Sequence, residues 1–328
     1  MELFLAHHSS YPRIGDSVDY QLLRRTIGAL DKGEKSEADV RAAEDRMTEL
    51  ALAEQIEAGL DVVTDGQIRW YDSISHLAGK LQGIRINGLL RFFDTNTYFR
   101  QPVVHSAIER REPLVVDDFR FAAGKSSRRV KVVLTGPLTL ARHSIEENAG
   151  AEGFGRLLEG YTEALAGEVT ALVEAGATLI QLDEPVLVRN PGDVVQAEES
   201  LSALAARKGQ AELWLALYFG NAAPIYDQLQ KLPINGLCLD FTYSPRLTEV
   251  VSAAGSAKTL ALGLVDGRNT KLENAQFVAR AIEKMTRRLA TPVYLTSSCG
   301  FEYLPRDRAQ LKLRHFATIK KELLGGRA

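Results

Sequence analysis

Eight short apolar runs recur along the chain, and each gives way to a polar cluster. They are 2–6 (ELFLA), 61–64 (DVVT), 130–134 (VKVVL), 178–182 (TLIQL), 212–217 (ELWLAL), 236–240 (GLCLD), 259–263 (TLALG) and 292–296 (PVYLT). Runs that are short and continuous, rather than alternating, predict strands covered on both faces. Between them, apolar side chains return every three or four residues. Helices are expected over 39–58, with Asp39 at the start and Gly59 as a stop, and over 152–175, 272–289 and 307–323. Strands alternating with helices predict an α/β fold, here a single (β/α)8 TIM barrel forming one domain over residues 1–328. An open doubly wound sheet is the structural alternative. It is weakened by the lack of a Gly-rich dinucleotide fingerprint after the first strand.

Residues 80–120 break the alternation. Two strand-like segments, KLQGIRING and LLRFFDTNTYFRQPVV, flank Asn87-Gly88. That dipeptide predicts a turn, and the region is expected to be a β-hairpin inserted near residues 80–104 over the barrel mouth.

Composition narrows the class. The 328 residues are 45% hydrophobic and 25% charged, enough for an ordinary core. The net charge of −2 comes from interspersed signs, so neither a nucleic-acid footprint nor a basic membrane patch is expected. No apolar run approaches the roughly 20 residues of a membrane span. The start, MELFLAHHSSYPRIG, has no signal-peptide character. Cys238 and Cys299 are the only cysteines, too few for a disulfide scaffold, so a cytoplasmic location is expected.

In a barrel of this kind the residues after the strands carry the chemistry. Here those positions hold His7, His8, Ser9, Ser10 and Arg13; Asp65, Gln67, Arg69 and Asp72; Asp183 and Glu184; Tyr218; Asp240 and Tyr243; Asp266 and Arg268; and Ser297, Ser298 and Cys299. Taken in order, SYPRIG, DVVTDGQIR, FFDTN, TGPLT, IQLDEPVL, YFGNA, LVDGRN and SSCGFEYLP resemble the cobalamin-independent methionine synthase family over nearly the whole chain. YPRIG, FFDTN, YFG and VDGRN look like the non-catalytic N-terminal barrel of its long form. VTDGQIR and CGFEYLPRD look like its short, single-barrel catalytic members.

The resemblance implies zinc held by a His-x-Cys pair after the fifth strand, a Glu after the sixth and a Cys after the eighth. Zinc would turn a substrate thiol into thiolate. Here Leu217-Tyr218-Phe219 replaces the pair, Asp240 replaces the Glu and only Cys299 is kept. The standard zinc site is therefore expected to be incomplete. The resemblance also implies that Asp183 binds the ammonium of an amino acid, against the plainer reading of a helix cap or salt bridge. Ser9 and Ser10 stand where the family receives the substrate carboxylate on backbone N–H groups; the alternative is an ordinary turn.

His8 and Asp240 are candidates for thiol activation. One of His7 and His8 is expected to face inward and the other into packing. His143 and Tyr218 could stack on a pterin ring or line the wall. Arg13 and Arg69 suit an anionic partner or nearby carboxylates equally. Gln67 and Glu184 complete the expected substrate contacts, and Cys238 is expected in the core.

Three functions remain open at this stage. The first is methyl transfer to a thiol such as homocysteine, from a folate donor. The second is a stand-alone, non-catalytic barrel that binds folate or docks on a separate catalytic barrel. The third is another C–S bond reaction on the same scaffold.

Overall fold

The computed structural model describes residues 2–147, 153–289 and 292–325. All eight expected strands form. They are β1 (Leu3–Leu5), β2 (Val62–Val63), the pair β5 (Arg129–Val130) and β6 (Val132–Thr135) split at Lys131, β8 (Leu179–Asp183), β9 (Glu212–Leu217), β10 (Gly236–Asp240), β11 (Thr259–Val265) and β12 (Val293–Ser297). Seven lie in one parallel sheet in the order β1-β12-β11-β10-β9-β8-β6. Parallel pairing continues from β1 to β2 through the bridge Ala6–Val62, and β2 pairs with β5. The expected helices run Glu37–Glu57, Gly153–Glu174, Ala275–Thr286 and Arg306–Gly325. Residue 152, the start of one expected helix, lies outside the described residues. Among the described residues no helix is long and apolar enough to cross a membrane.

Local chemistry sets the helix ends. Ser36 caps Glu37–Glu57: its side chain accepts from the Asp39 N–H, and Asp39 returns a bond to the Ser36 N–H. Gly59, at φ +85°, ends the turn that follows.

The hairpin forms, but not around Asn87-Gly88. β3 (Gln82–Arg91) runs straight through that dipeptide, with a register shift between Ile86 and Leu89, and pairs with β4 (Tyr98–Glu109). The reversal lies at 92–97 instead. There the Thr95 hydroxyl donates to the Phe92 carbonyl (2.6 Å) and the Phe92 N–H donates to Thr97 (3.0 Å). Arg91 Nε adds a bond to the Thr95 carbonyl (2.6 Å). A turn tied by its own side chains outweighs the Asn-Gly preference, which here is spent on a bulge. β7 (Ile145–Glu146) adds a third strand to this small sheet.

Side chains alternate across the main sheet. One face gathers Ala6, Val62, Leu179, Trp214, Ala216, Cys238, Ala261 and Tyr294 into an apolar layer with Phe4. The other face packs on the helices in the larger core. Two residues further along the same face, toward the C-terminal strand ends, come His8, Gln181, Tyr218 and Asp240. Asp183 follows Gln181 by another two. Polar groups therefore sit directly above an apolar floor.

Candidate functional site

Asp183, His8 and Tyr218 meet at those strand ends. Asp183 is almost fully buried; its Oδ1 accepts from Gln181 Nε2 (2.7 Å) and its Oδ2 from the Tyr218 hydroxyl (3.3 Å). Gln181 Nε2 also donates to the His8 carbonyl (3.1 Å), which ties the carboxylate to the chain entering Ser9 and Ser10. Burial pushes the Asp183 carboxyl up from the usual range. The inward imidazole is His8, edge-on to Tyr218 at 5.4 Å. His7 packs instead between Tyr11 and Phe301. His8 Nδ1 lies 2.8 Å from Ser9 Oγ, and its Nε2 has no partner among the described residues. Burial, helped by the charge on Lys131, pushes this imidazole well below its ordinary value.

Beside this cluster is a cavity of about 690 Å³, bordered by Ser10, Arg13, Gln67, Trp70, Phe92 and Glu302. Its size is within the range of small-molecule sites. Gln67 adopts φ 51° and is fixed by Asp65 Oδ1 on its N–H (3.0 Å). Arg13 Nε donates to the Ile68 carbonyl (2.7 Å) and its guanidinium lies over Tyr71, while Nη2 has no partner among the described residues. Asp183 does not border the cavity. It reaches the Ser10 wall through Gln181 and the His8 backbone.

Four expected contact residues have other partners. Both Glu184 oxygens receive the start of the helix Pro137–His143: Leu138 N–H (2.9 Å), Thr139 N–H (2.7 Å) and Thr139 hydroxyl (2.5 Å). Burial raises this carboxyl to about 7. Arg69 turns outward to Asp45, Asp118 (3.4 Å) and the ring of Phe121. His143 is enclosed by Phe92, Phe93 and Phe99, and so holds the hairpin tip down. Asp240 accepts from the N–H groups of Phe219 (3.2 Å), Thr242 (2.8 Å) and Tyr243 (3.1 Å) and from the Thr242 hydroxyl (2.6 Å).

Cys299 is fully buried, with Sγ 3.4 Å from the Gly300 carbonyl; burial pushes its thiol well up. Cys238 lies in the apolar layer, as expected.

Lys131 and Gln181 were not singled out from the sequence. Lys131 is the one charged residue inside VKVVL, and a charge in a strand covered on both faces is the signal that could have found it.

Comparison with known proteins supplies independent findings. Residues 79–290 match the family described as "Cobalamin-independent synthase, N-terminal domain". A methionine synthase of Saccharolobus solfataricus is 32% identical over 309 residues, covering 93% of this chain and 90% of its own. One from Thermococcus kodakarensis is 28% identical over 310 residues, covering 92% and 89%. A B12-independent methionine synthase from Shewanella sp. W3-18-1, solved with selenomethionine, shares the fold with a TM-score of 0.78 at 19% identity, covering 99% of this chain and 100% of that one. A putative vitamin-B12 independent methionine synthase from Listeria monocytogenes does so at 0.74 and 17%, covering 98% and 99%.

Proposed function

The chain belongs to the cobalamin-independent methionine synthase family, and from that premise we propose that it passes a methyl group to the thiol of homocysteine or a similar amino acid. The observation that carries this reading is the buried Asp183 carboxylate beside the turn at Ser9 and Ser10. An α-amino acid presents an ammonium and a carboxylate a few ångströms apart. Asp183 offers the anion for the first. Among the described residues the N–H groups of Ser9 and Ser10 have no protein acceptor, so they can serve the second. In this reading the eight strands close into one barrel and one domain. The bridge Ala6–Val62 and the β2–β5 pairing support closure.

The transfer is a displacement in line. The sulfur–methyl bond forms as the methyl–donor bond breaks; that bond's electron pair stays on the donor, and the thiol proton passes to a base and from there to the donor. His8 Nε2, facing the site and without a partner among the described residues, is assigned that role, with burial and the Lys131 charge making it a weak base. Asp240 is not, because its oxygens already accept four hydrogen bonds. Positioning then supplies much of the rate. The cavity is given to the methyl donor, a folate in the family, with Trp70 and Phe92 as flat walls and Arg13 for an anionic group.

Zinc in the family's usual place does not fit these residues. Leu217 and Phe219 offer no lone pair, and the Asp240 carboxylate is engaged by the backbone around it. Chain purified from zinc-supplemented medium should carry well under one zinc per molecule, unchanged in Cys299→Ala. One zinc per chain that disappears with Cys299 would restore the family's standard site.

Calorimetric titration of methionine or homocysteine into the parent and into Asp183→Asn tests the main reading. A charge-assisted bond contributes roughly 1.5–3 kcal/mol. Asn should therefore weaken binding by about one to two orders of magnitude. Equal affinities would remove Asp183 as the ammonium partner. No binding to the parent chain would favour a second reading, a non-catalytic partner barrel. That reading draws support from the match to the family's N-terminal domain.

A further inference from the structure

Lys131 is a fully buried ammonium that the transfer step does not use. Its Nζ donates to Gln181 Oε1 at 2.5 Å, and it lies 5.8 Å from the Trp214 ring centroid. Gln181 passes this contact on, donating from Nε2 to Asp183 Oδ1 and to the His8 carbonyl. The chemistry on each side leaves the amide one orientation. An ammonium only donates, so the amide oxygen must face Lys131. A carboxylate and a backbone carbonyl only accept, so the amide nitrogen must face Asp183 and His8. Turning the amide would break three bonds at once, in a place where unpaired polar groups are costly.

We propose that Lys131 is a positioning residue: through the Gln181 amide it keeps Asp183 ionised and aimed at a cationic group arriving at the strand ends. The identity of that group as a substrate ammonium rests on the function proposed above; the relay itself does not.

The charged and titratable groups around the relay set its direction. The groups whose charge or hydrogen bonding acts on Asp183 are Lys131, Tyr218, Glu302 and Cys238, with Glu184 acting from the opposite side of the strand. Lys131 faces Asp183, Cys238, His7 and His8. Burial raises the Asp183 carboxyl, and the negative charge of Glu302 adds to that; Gln181, Lys131 and the Tyr218 hydroxyl oppose it. Removing the ammonium leaves burial less opposed, so the carboxyl must titrate at higher pH.

The test follows the carboxyl carbons of ¹³C-labelled aspartate by NMR in the free chain, with Asp183→Asn assigning the signal. In Lys131→Met the Asp183 midpoint should rise by one pH unit or more. The pH at which methionine affinity is half-maximal should move up with it. An unmoved midpoint overturns the relay. If Lys131→Met does not fold, Gln181→Met reads the same question with the ammonium retained: a raised midpoint supports the relay and an unmoved one overturns it. A midpoint that moves while methionine affinity stays put supports the relay and removes the ammonium role given to Asp183.

Discussion

Arg306→Ala should lower the free energy of unfolding by about 3–5 kcal/mol, the cost of breaking a buried ion pair from one side. Arg306 is fully buried at the start of the last helix and binds both oxygens of Glu54, at 2.9–3.2 Å. Its Nη1 donates to the Pro12 carbonyl (2.8 Å), and its guanidinium lies over the rings of Tyr11 and Tyr20. One side chain thus joins the last helix, the helix Glu37–Glu57 and the loop after β1. Alanine would leave the largely buried Glu54 carboxylate and the Pro12 carbonyl without their partner. Urea denaturation of the parent and the variant measures the loss, and a change below about 1 kcal/mol would contradict the argument. A second variant separates pairing from packing. Arg306→Met with Glu54→Leu removes both charges and keeps volume, so it should recover a large part of the loss. Because Arg306 also holds the Pro12 carbonyl of the loop that carries Ser9 and Ser10, the single variant should bind methionine more weakly even where it is folded.

The strands were legible because burial on both faces writes a continuous apolar run that ends in a polar cluster. β9 and β10 fall at the expected bounds, and the others differ by a few residues at their ends. The hairpin was legible as an insertion, but its reversal was not. Asn87-Gly88 is a property of two residues. The turn at 92–97 depends on where the Thr95 hydroxyl and the Arg91 guanidinium reach, which composition does not record.

The site divides along the same line. Asp183, His8 and Tyr218 could be named because strand ends locate them. Arg69 sits at an equally good sequence position, yet its long side chain turns back to Asp45 and Asp118 between two helices. Glu184 follows Asp183 directly and so points to the opposite side, where the helix start at Leu138 and Thr139 claims it. Lys131 and Gln181 were missed for the converse reason. Gln181 lies inside β8 and Lys131 at the break between β5 and β6, neither of them after a strand, and only their contacts with each other, with Trp214 and with Asp183 show that they share its face.

Replacing His7 should make the protein more resistant to acid. The Thr64 hydroxyl donates to the Ser9 carbonyl (2.6 Å), so at its 3.0 Å contact with His7 Nδ1 it must accept. The neutral ring therefore carries its proton on Nδ1, and the bare Nε2 is buried with no partner among the described residues. Protonating Nε2 would place a cation there with no acceptor, close to the Lys131 charge. Burial first, and Lys131 second, lower this imidazole from 6.5 to about 3. In the unfolded chain the same ring takes up a proton near pH 6.5. Between the two values the unfolded state binds more protons, so the contribution is intact above pH 6.5 and lost as pH falls toward 3. Each pH unit in that window costs about 1.4 kcal/mol. Glu184, raised to about 7, and Asp118, raised to about 6, act in the opposite direction. The whole-protein profile thus mixes signs, and the difference between variants isolates the one group. His7→Asn keeps a donor for Thr64 and does not titrate. Denaturation at pH 7, 6 and 5 should show Asn gaining on His by roughly 1–1.4 kcal/mol per unit once pH is below 6. A difference that stays flat from pH 7 to 5 would mean that His7 is charged, or solvated, in the folded protein.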